Sequence, residues 1–248
     1  MAAGVGSLAL AACGSDDGGT SGTAAAETTS DATTASDASA SEIPEETGGP
    51  YPADGSNGPD VLTESGVVRQ DITSSFGGMK GTADGVPTSL EMTLIDIAGG
   101  GAPLAGAALY LWHCDRDASY SLYDGDAIDQ NYLRGVQVSD ADGKLSFATI
   151  FPACYAGRWP HMHFEIYSSQ AAITDGSSGK LRTSQLALPQ DLCEEIYGSA
   201  DGYEASATTL SQVSLDTDMV FADGYSGQLP KWSGSFEDGI ELQLNVGV

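Results

Sequence analysis

Leu133-Arg134-Gly135-Val136-Gln137-Val138-Ser139-Asp140-Ala141-Asp142-Gly143-Lys144-Leu145-Ser146-Phe147-Ala148-Thr149-Ile150 is the stretch from which the fold is read. Its two runs, Leu133 to Val138 and Leu145 to Ile150, have strand-like composition. Between them stands Asp140-Ala141-Asp142-Gly143, where Asp-Gly supplies the positive φ angles of a tight hairpin. Comparable runs occur at Leu90 to Leu94, Ala107 to Trp112, His163 to Tyr167 and Ile240 to Val246, and no long stretch holds helical periodicity. The pattern predicts an all-β chain, an antiparallel β-sandwich with few or no helices. Enzymes, binding modules and structural domains all use such a scaffold, so function must be read from a site.

Upstream the composition changes. From Gly14 to about Gly49 the chain is Ser, Thr, Ala, Asp, Glu and Gly with almost no large apolar side chain. Such a segment buries too little surface to offset its ordering entropy, so it reads as a flexible tether. Gly49-Pro50-Tyr51-Pro52 punctuates its end, and apolar residues return from about Val61, which places the folded domain at 60–248. Ahead of the tether, Gly4 to Ala12 is short, apolar and made of small residues, ending in Leu10-Ala11-Ala12-Cys13. It is too short to span a bilayer. It resembles the tail of a bacterial lipoprotein signal peptide, which implies removal of residues 1–12, lipid on Cys13, a lipid-anchored tether over 13–59 and an exported protein. Nine Lys and Arg against 35 Asp and Glu give 248 residues a net charge of −26. That field repels nucleic acid and anionic lipid, so no nucleic-acid partner is expected and membrane attachment rests on the anchor alone.

Two of the three histidines fall in Tyr155-Ala156-Gly157-Arg158-Trp159-Pro160-His161-Met162-His163. In an extended strand, residues two apart share a face, so His161 and His163 can bring two imidazoles to one metal. Two surface histidines would read the same way. Their company narrows the choice. Trp112-His113, Tyr120-Ser121, Leu133-Arg134-Gly135, Asp142-Gly143, Pro152-Ala153-Cys154-Tyr155, Arg158 and His161-Met162-His163 follow one another in order. From Trp112 to Phe164 this resembles the intradiol ring-cleaving dioxygenases, the family of catechol and protocatechuate dioxygenases.

The resemblance implies that Tyr120, Tyr155, His161 and His163 ligate a non-haem ferric ion, that the substrates are a catechol and dioxygen, and that the ring opens to a muconic acid. Charge counting agrees, because two tyrosinates and a hydroxide neutralise Fe(III) and two neutral imidazoles complete the shell. Ferrous oxygenases typically use two histidines and a carboxylate instead. By resemblance Tyr155 leaves the metal and accepts a catechol proton, Tyr120 stays, Arg158 stabilises charge developing on the ring, and Gln185 lies behind the ligands. A longer insert, Gln170 to Lys180, separates Gln185 from the histidine strand.

The other residues read as scaffold: Trp112 as a core aromatic, Leu133 as packing, Gly135 and Gly143 as turn or close-approach positions, and His113 as a hydrogen-bonded structural histidine. An exported chain normally oxidises thiols that meet, and any pairing among Cys114, Cys154 and Cys193 is open. No Cys-x-x-Cys pair suggests zinc. Classical family members carry a dimer-forming helical segment ahead of the sandwich, where this chain has the tether, which leaves the oligomeric state open. The rival reading is a metal-free cell-surface binding module whose Tyr120, Tyr155 and Arg158 line a groove.

Overall fold

The computed structural model describes residues 41–174 and 179–248. Cys13, the proposed signal segment and the tether up to residue 40 lie outside the described residues.

Among the described residues the strands run in the order β1 (Pro87–Asp96), β2 (Ala102–Pro103), β3 (Ala108–Trp112), β4 (Arg134–Val138), β5 (Lys144–Ile150), β6 (His161–Tyr167), β7 (Lys180–Ala187), β8 (Lys231–Ser235) and β9 (Gly239–Gly247), with short helices α1 (Gln170–Thr174), α2 (Gln190–Ser199) and α3 (Glu204–Leu210). One sheet is ordered β2-β1-β9-β8 with β5 also on β1, and the other β4-β3-β6-β7. Leu90, Met92 and Leu94 of β1, Phe147 of β5 and Leu242 of β9 share one buried cluster with Leu109 and Leu111 of β3 and Met162, Phe164 and Ile166 of β6. The inner faces of the two sheets therefore pack together, as in a sandwich. All strand pairs are antiparallel except β1 and β9, which run parallel.

Alternation along β3 and β6 sends the other side chains outward, and these too are covered. Ala108, Tyr110 and Trp112 join a second buried cluster with Ala53, Val61, Leu62 and Tyr120. Every residue of β6 is buried as a result.

Three details differ from the sequence reading. The Asp140–Gly143 turn closes with Asp140 N–H donating to the Lys144 carbonyl at 2.8 Å. It does not join hairpin partners, because β4 pairs with β3 and β5 with β1, so it carries the chain from one sheet to the other. Residues 41–59, expected in the tether, lie along the domain: Ile43 and Ala53 are buried, and Ile43 N–H donates to the Gly247 carbonyl. Cys114, Cys154 and Cys193 are buried free thiols, so none of the three pairings is formed. Among the described residues no helix is long and apolar enough to cross a membrane.

Gly143 has φ of +76°, and a Cβ there would lie 2.4 Å from the Leu94 carbonyl oxygen. Backbone cannot give way as a side-chain tip can. Gly143→Ala is expected to cost about 2 kcal/mol, the scale of a forced left-handed residue. Calorimetry should then show a thermal midpoint lower by roughly 4–8 °C, and an unchanged midpoint would mean that the turn can shift.

Candidate metal centre

β6 starts at His161, and period-two geometry puts His161, His163 and Glu165 on its outer face. Trp112 of β3 is the cross-strand partner of His163, and their rings stack at 5.0 Å with only 3° between planes. Gln185 of β7 pairs with His163 from the other side. Tyr120 arrives on a loop flanked by Ala118 and Leu122, both at positive φ. This loop is pinned by Asp115, which accepts from Ser119 N–H at 2.8 Å, and by Asp124, which accepts from Tyr120 N–H at 2.6 Å. Tyr155 follows β5 on the run leading to Arg158.

Four donor atoms converge. Tyr120 Oη lies 3.3 Å from Tyr155 Oη and 3.5 Å from His161 Nε2. Tyr155 Oη is 3.1 Å from His161 Nε2, which is 3.1 Å from His163 Nε2. These spacings match the edges of a coordination shell with bonds of about 2.1 Å, the usual length to imidazole nitrogen or carboxylate oxygen. His161 Nδ1 sits 2.6 Å from the Trp159 carbonyl, which can only accept. The proton is therefore on Nδ1, and the Nε2 lone pair faces the other donors. His163 Nδ1 is buried, and the Thr47 backbone is the polar group that acts on its ring. Among the described residues no group of three or more His, Cys, Asp and Glu could hold a metal ion. The set here is two imidazoles and two phenols.

Burial dominates the electrostatics. It pushes Tyr120 well above the usual phenol range and Tyr155 up to about 12. It drives His161 down to about 3, helped by the Arg158 charge, and His163 well below the usual imidazole range. Alone, the cluster holds neutral imidazoles and protonated phenols. Only a highly charged cation could draw the protons from both phenols, and these donors suit a hard one.

Arg158 stands beside the donors, its Nη1 3.3 Å from His161 Nε2. Its Nε donates to Asp218 at 2.9 Å and its Nη2 to Gln185 Oε1 at 2.6 Å. The structure thus brings together Tyr120, Tyr155, Arg158, His161, His163 and Gln185. It keeps His113 apart, with Nδ1 2.8 Å from the Cys114 carbonyl and Nε2 2.7 Å from Thr149 Oγ1, the structural histidine expected.

Sequence reasoning missed two contributors. Asp218, in a loop after α3, belongs to no motif. Residues 47–52, assigned to the tether, wall the cluster: Gln185 Nε2 donates to the Thr47 carbonyl at 2.8 Å, a Cβ on Gly49 would meet His163 at 3.2 Å, and the Tyr51 ring packs 4.9 Å from that of Tyr120. Fully buried Arg134 ties this wall to the ligand loop. It donates to the carbonyls of Tyr51, Pro52 and Ser121, and to Ser121 Oγ and Tyr110 Oη. The Gly-Pro-Tyr-Pro punctuation was the available signal, and it reads as a boundary rather than a wall. A groove of about 430 Å³ lined by Trp159, Glu194, Tyr197 and Leu210 contains none of the donor atoms.

The Dioxygenase family model matches residues 57–174. A 55-residue stretch is 38% identical to chlorocatechol 1,2-dioxygenase of Rhodococcus opacus, covering 22% of this chain and 21% of that protein. Another curated relative, chlorocatechol 1,2-dioxygenase of Pseudomonas sp. (strain P51), is 44% identical over 55 residues, so the match spans about a fifth of each relative's length. Among solved structures, an intradiol ring-cleavage dioxygenase from Tetranychus urticae superposes with a TM-score of 0.65 at 22% identity, covering 84% of this chain and 94% of that one. These likenesses agree with the motif order read from Trp112 to Phe164, and the structural one is a likeness of fold.

Proposed function

We propose that this chain, which resembles the intradiol ring-cleavage dioxygenases in motif order, family-model match and fold, is a non-haem ferric dioxygenase that opens catechols between their hydroxyl-bearing carbons. The observation that carries the reading is the meeting of two phenols and two imidazoles, with His161 Nε2 bared by the Trp159 carbonyl. Tyr120, Tyr155, His161 and His163 would hold the iron. Bound there, Fe(III) would draw electron density from a chelated catechol and make the ring reactive toward dioxygen.

The rest falls to the protein. Held as tyrosinate by the metal, Tyr155, whose ring is less buried than that of Tyr120, would be the group that accepts the proton of one catechol hydroxyl. Tyr120, packed between Tyr51 and its own strained loop, stays in place. Arg158, whose side chain is largely buried, would present positive charge to the ring, and such charge acts most strongly away from water. With Nε and Nη2 already engaged, one edge of the guanidinium is taken, which favours catechols that lack a carboxylate to be clamped there. The Leu10-Ala11-Ala12-Cys13 segment adds that the enzyme is exported on a lipid anchor and meets its catechols outside the cell. A panel of plant- or lignin-derived catechols tests this last point, and inertness toward all of them would remove it.

The purified chain should carry about one iron and a broad visible tyrosinate-to-metal band that moves to longer wavelength on anaerobic addition of catechol. Admitting oxygen should then yield a ring-opened diacid. A colourless, iron-free protein that cannot be reconstituted would favour the metal-free binding module.

A further inference from the structure

We infer that Asp218, with Gln185, is a positioning residue that holds Arg158 so that Nη1 alone faces the reacting centre; this rests on the function proposed above. The Asp218 side chain has no exposed surface, and all its accepting capacity is spent. Oδ2 takes Arg158 Nε at 2.9 Å and Trp159 N–H at 2.7 Å, while Oδ1 takes Val220 N–H at 2.8 Å and Phe221 N–H at 3.2 Å. Gln185 takes Nη2 and is itself fixed by the Thr47 carbonyl.

One guanidinium edge is therefore locked from two sides by groups on different parts of the chain, and only Nη1 is directed at His161 Nε2. A lone pair given to a metal is not available to Nη1, whose hydrogens are then free to meet substrate. The same carboxylate oxygen also holds Trp159, whose carbonyl sets the His161 tautomer. Asp218 thus orients the cation, and an asparagine oxygen at 218 can still accept from Trp159 N–H, so the exchange is felt through Arg158. A long, flexible arginine without these partners would swing among rotamers and toward the many surface carboxylates.

The test is a double-mutant cycle on the full chain with catechol as substrate, combining Asp218→Asn and Arg158→Ala and reading kcat per bound iron, the visible band and the anaerobic catechol Kd. Asp218→Asn should lower kcat per iron about 10- to 100-fold, the usual cost of losing an outer partner, and leave the band position unchanged. In the Arg158→Ala background the same change should lower it less than about 2-fold, since a residue acting through another is non-additive with it. If Asp218→Asn does not fold, Gln185→Met removes the other tether without touching the Asp218 loop and should show the same non-additivity. Equal losses in both backgrounds, or full kcat without the tethers, would overturn the inference. A parent chain with neither iron nor ring cleavage overturns the proposed function, and this inference with it.

Discussion

His161→Ala is expected to give a folded but colourless protein that retains no stoichiometric iron. Its activity should fall by more than the ~10- to 100-fold that loss of an outer partner costs. The imidazole is the hub of the cluster, with Tyr120, Tyr155, Arg158 and His163 all within 3.1–3.5 Å of its Nε2. No neighbour can replace that lone pair, because the phenols are already placed as donors of their own and Arg158 carries no lone pair to give. Iron analysis and the visible spectrum read the result directly. Retention of iron with an unshifted band would mean that the metal sits elsewhere. Folding should survive, since the ring is neutral in its buried setting and its strand is anchored by backbone pairing to β3 and β7.

Arg134→Met should be the most destabilising single change. The guanidinium is fully buried and has no carboxylate partner among the described residues, its hydrogen bonds going to carbonyl and hydroxyl oxygens. Methionine fills similar space but leaves the Tyr51 and Ser121 carbonyls without this donor, at about 1–3 kcal/mol for each orphaned acceptor. A loss of about 4 kcal/mol corresponds to a thermal midpoint lower by roughly 8–16 °C. Relief from burying a charge acts in the opposite direction, and a midpoint within 2 °C or so of the parent would show that it wins. Because Ser121 adjoins Tyr120 and Tyr51 packs on its ring, the visible band should weaken as well.

Alternation made most of the sandwich legible. His161 and His163 read as sharing one face of a strand, and the backbone places them so, opposite the buried Met162, Phe164 and Ile166. The candidate ligands were reached through the family resemblance, five of whose residues lie on two short runs of the chain, and the structure brings these five together. What escaped has particular causes. Residues 41–59 contain few apolar side chains and are held by other means: Thr47, Tyr51 and Pro52 offer carbonyls, and Glu42 and Glu45 pair with Arg182. A composition argument weighs side-chain burial and does not register backbone acceptors serving a distant arginine. Asp218 sits alone in a loop, and only the tertiary fold brings it to Arg158. α2 is a single short helix with Leu192, Cys193, Ile196 and Tyr197 buried, too brief for its period to stand out. The Asp142-Gly143 turn was recognised correctly as a turn, but local sequence does not say that its flanking strands find partners in different sheets.

The parallel pairing of β1 with β9 bears on how the molecule is made. Thr88 meets Ile240 and Ile95 meets Gly247, contacts roughly 150 residues apart, and long-range pairings of this kind slow folding. A nascent chain emerging N-terminus first cannot close this sheet until β9 has left the ribosome. Ile43, at the root of the segment that walls the centre, also waits for Gly247. During synthesis the β9-facing edge of β1 is therefore open to strands of other chains. Sheet closure and completion of the wall both wait for β9 to emerge.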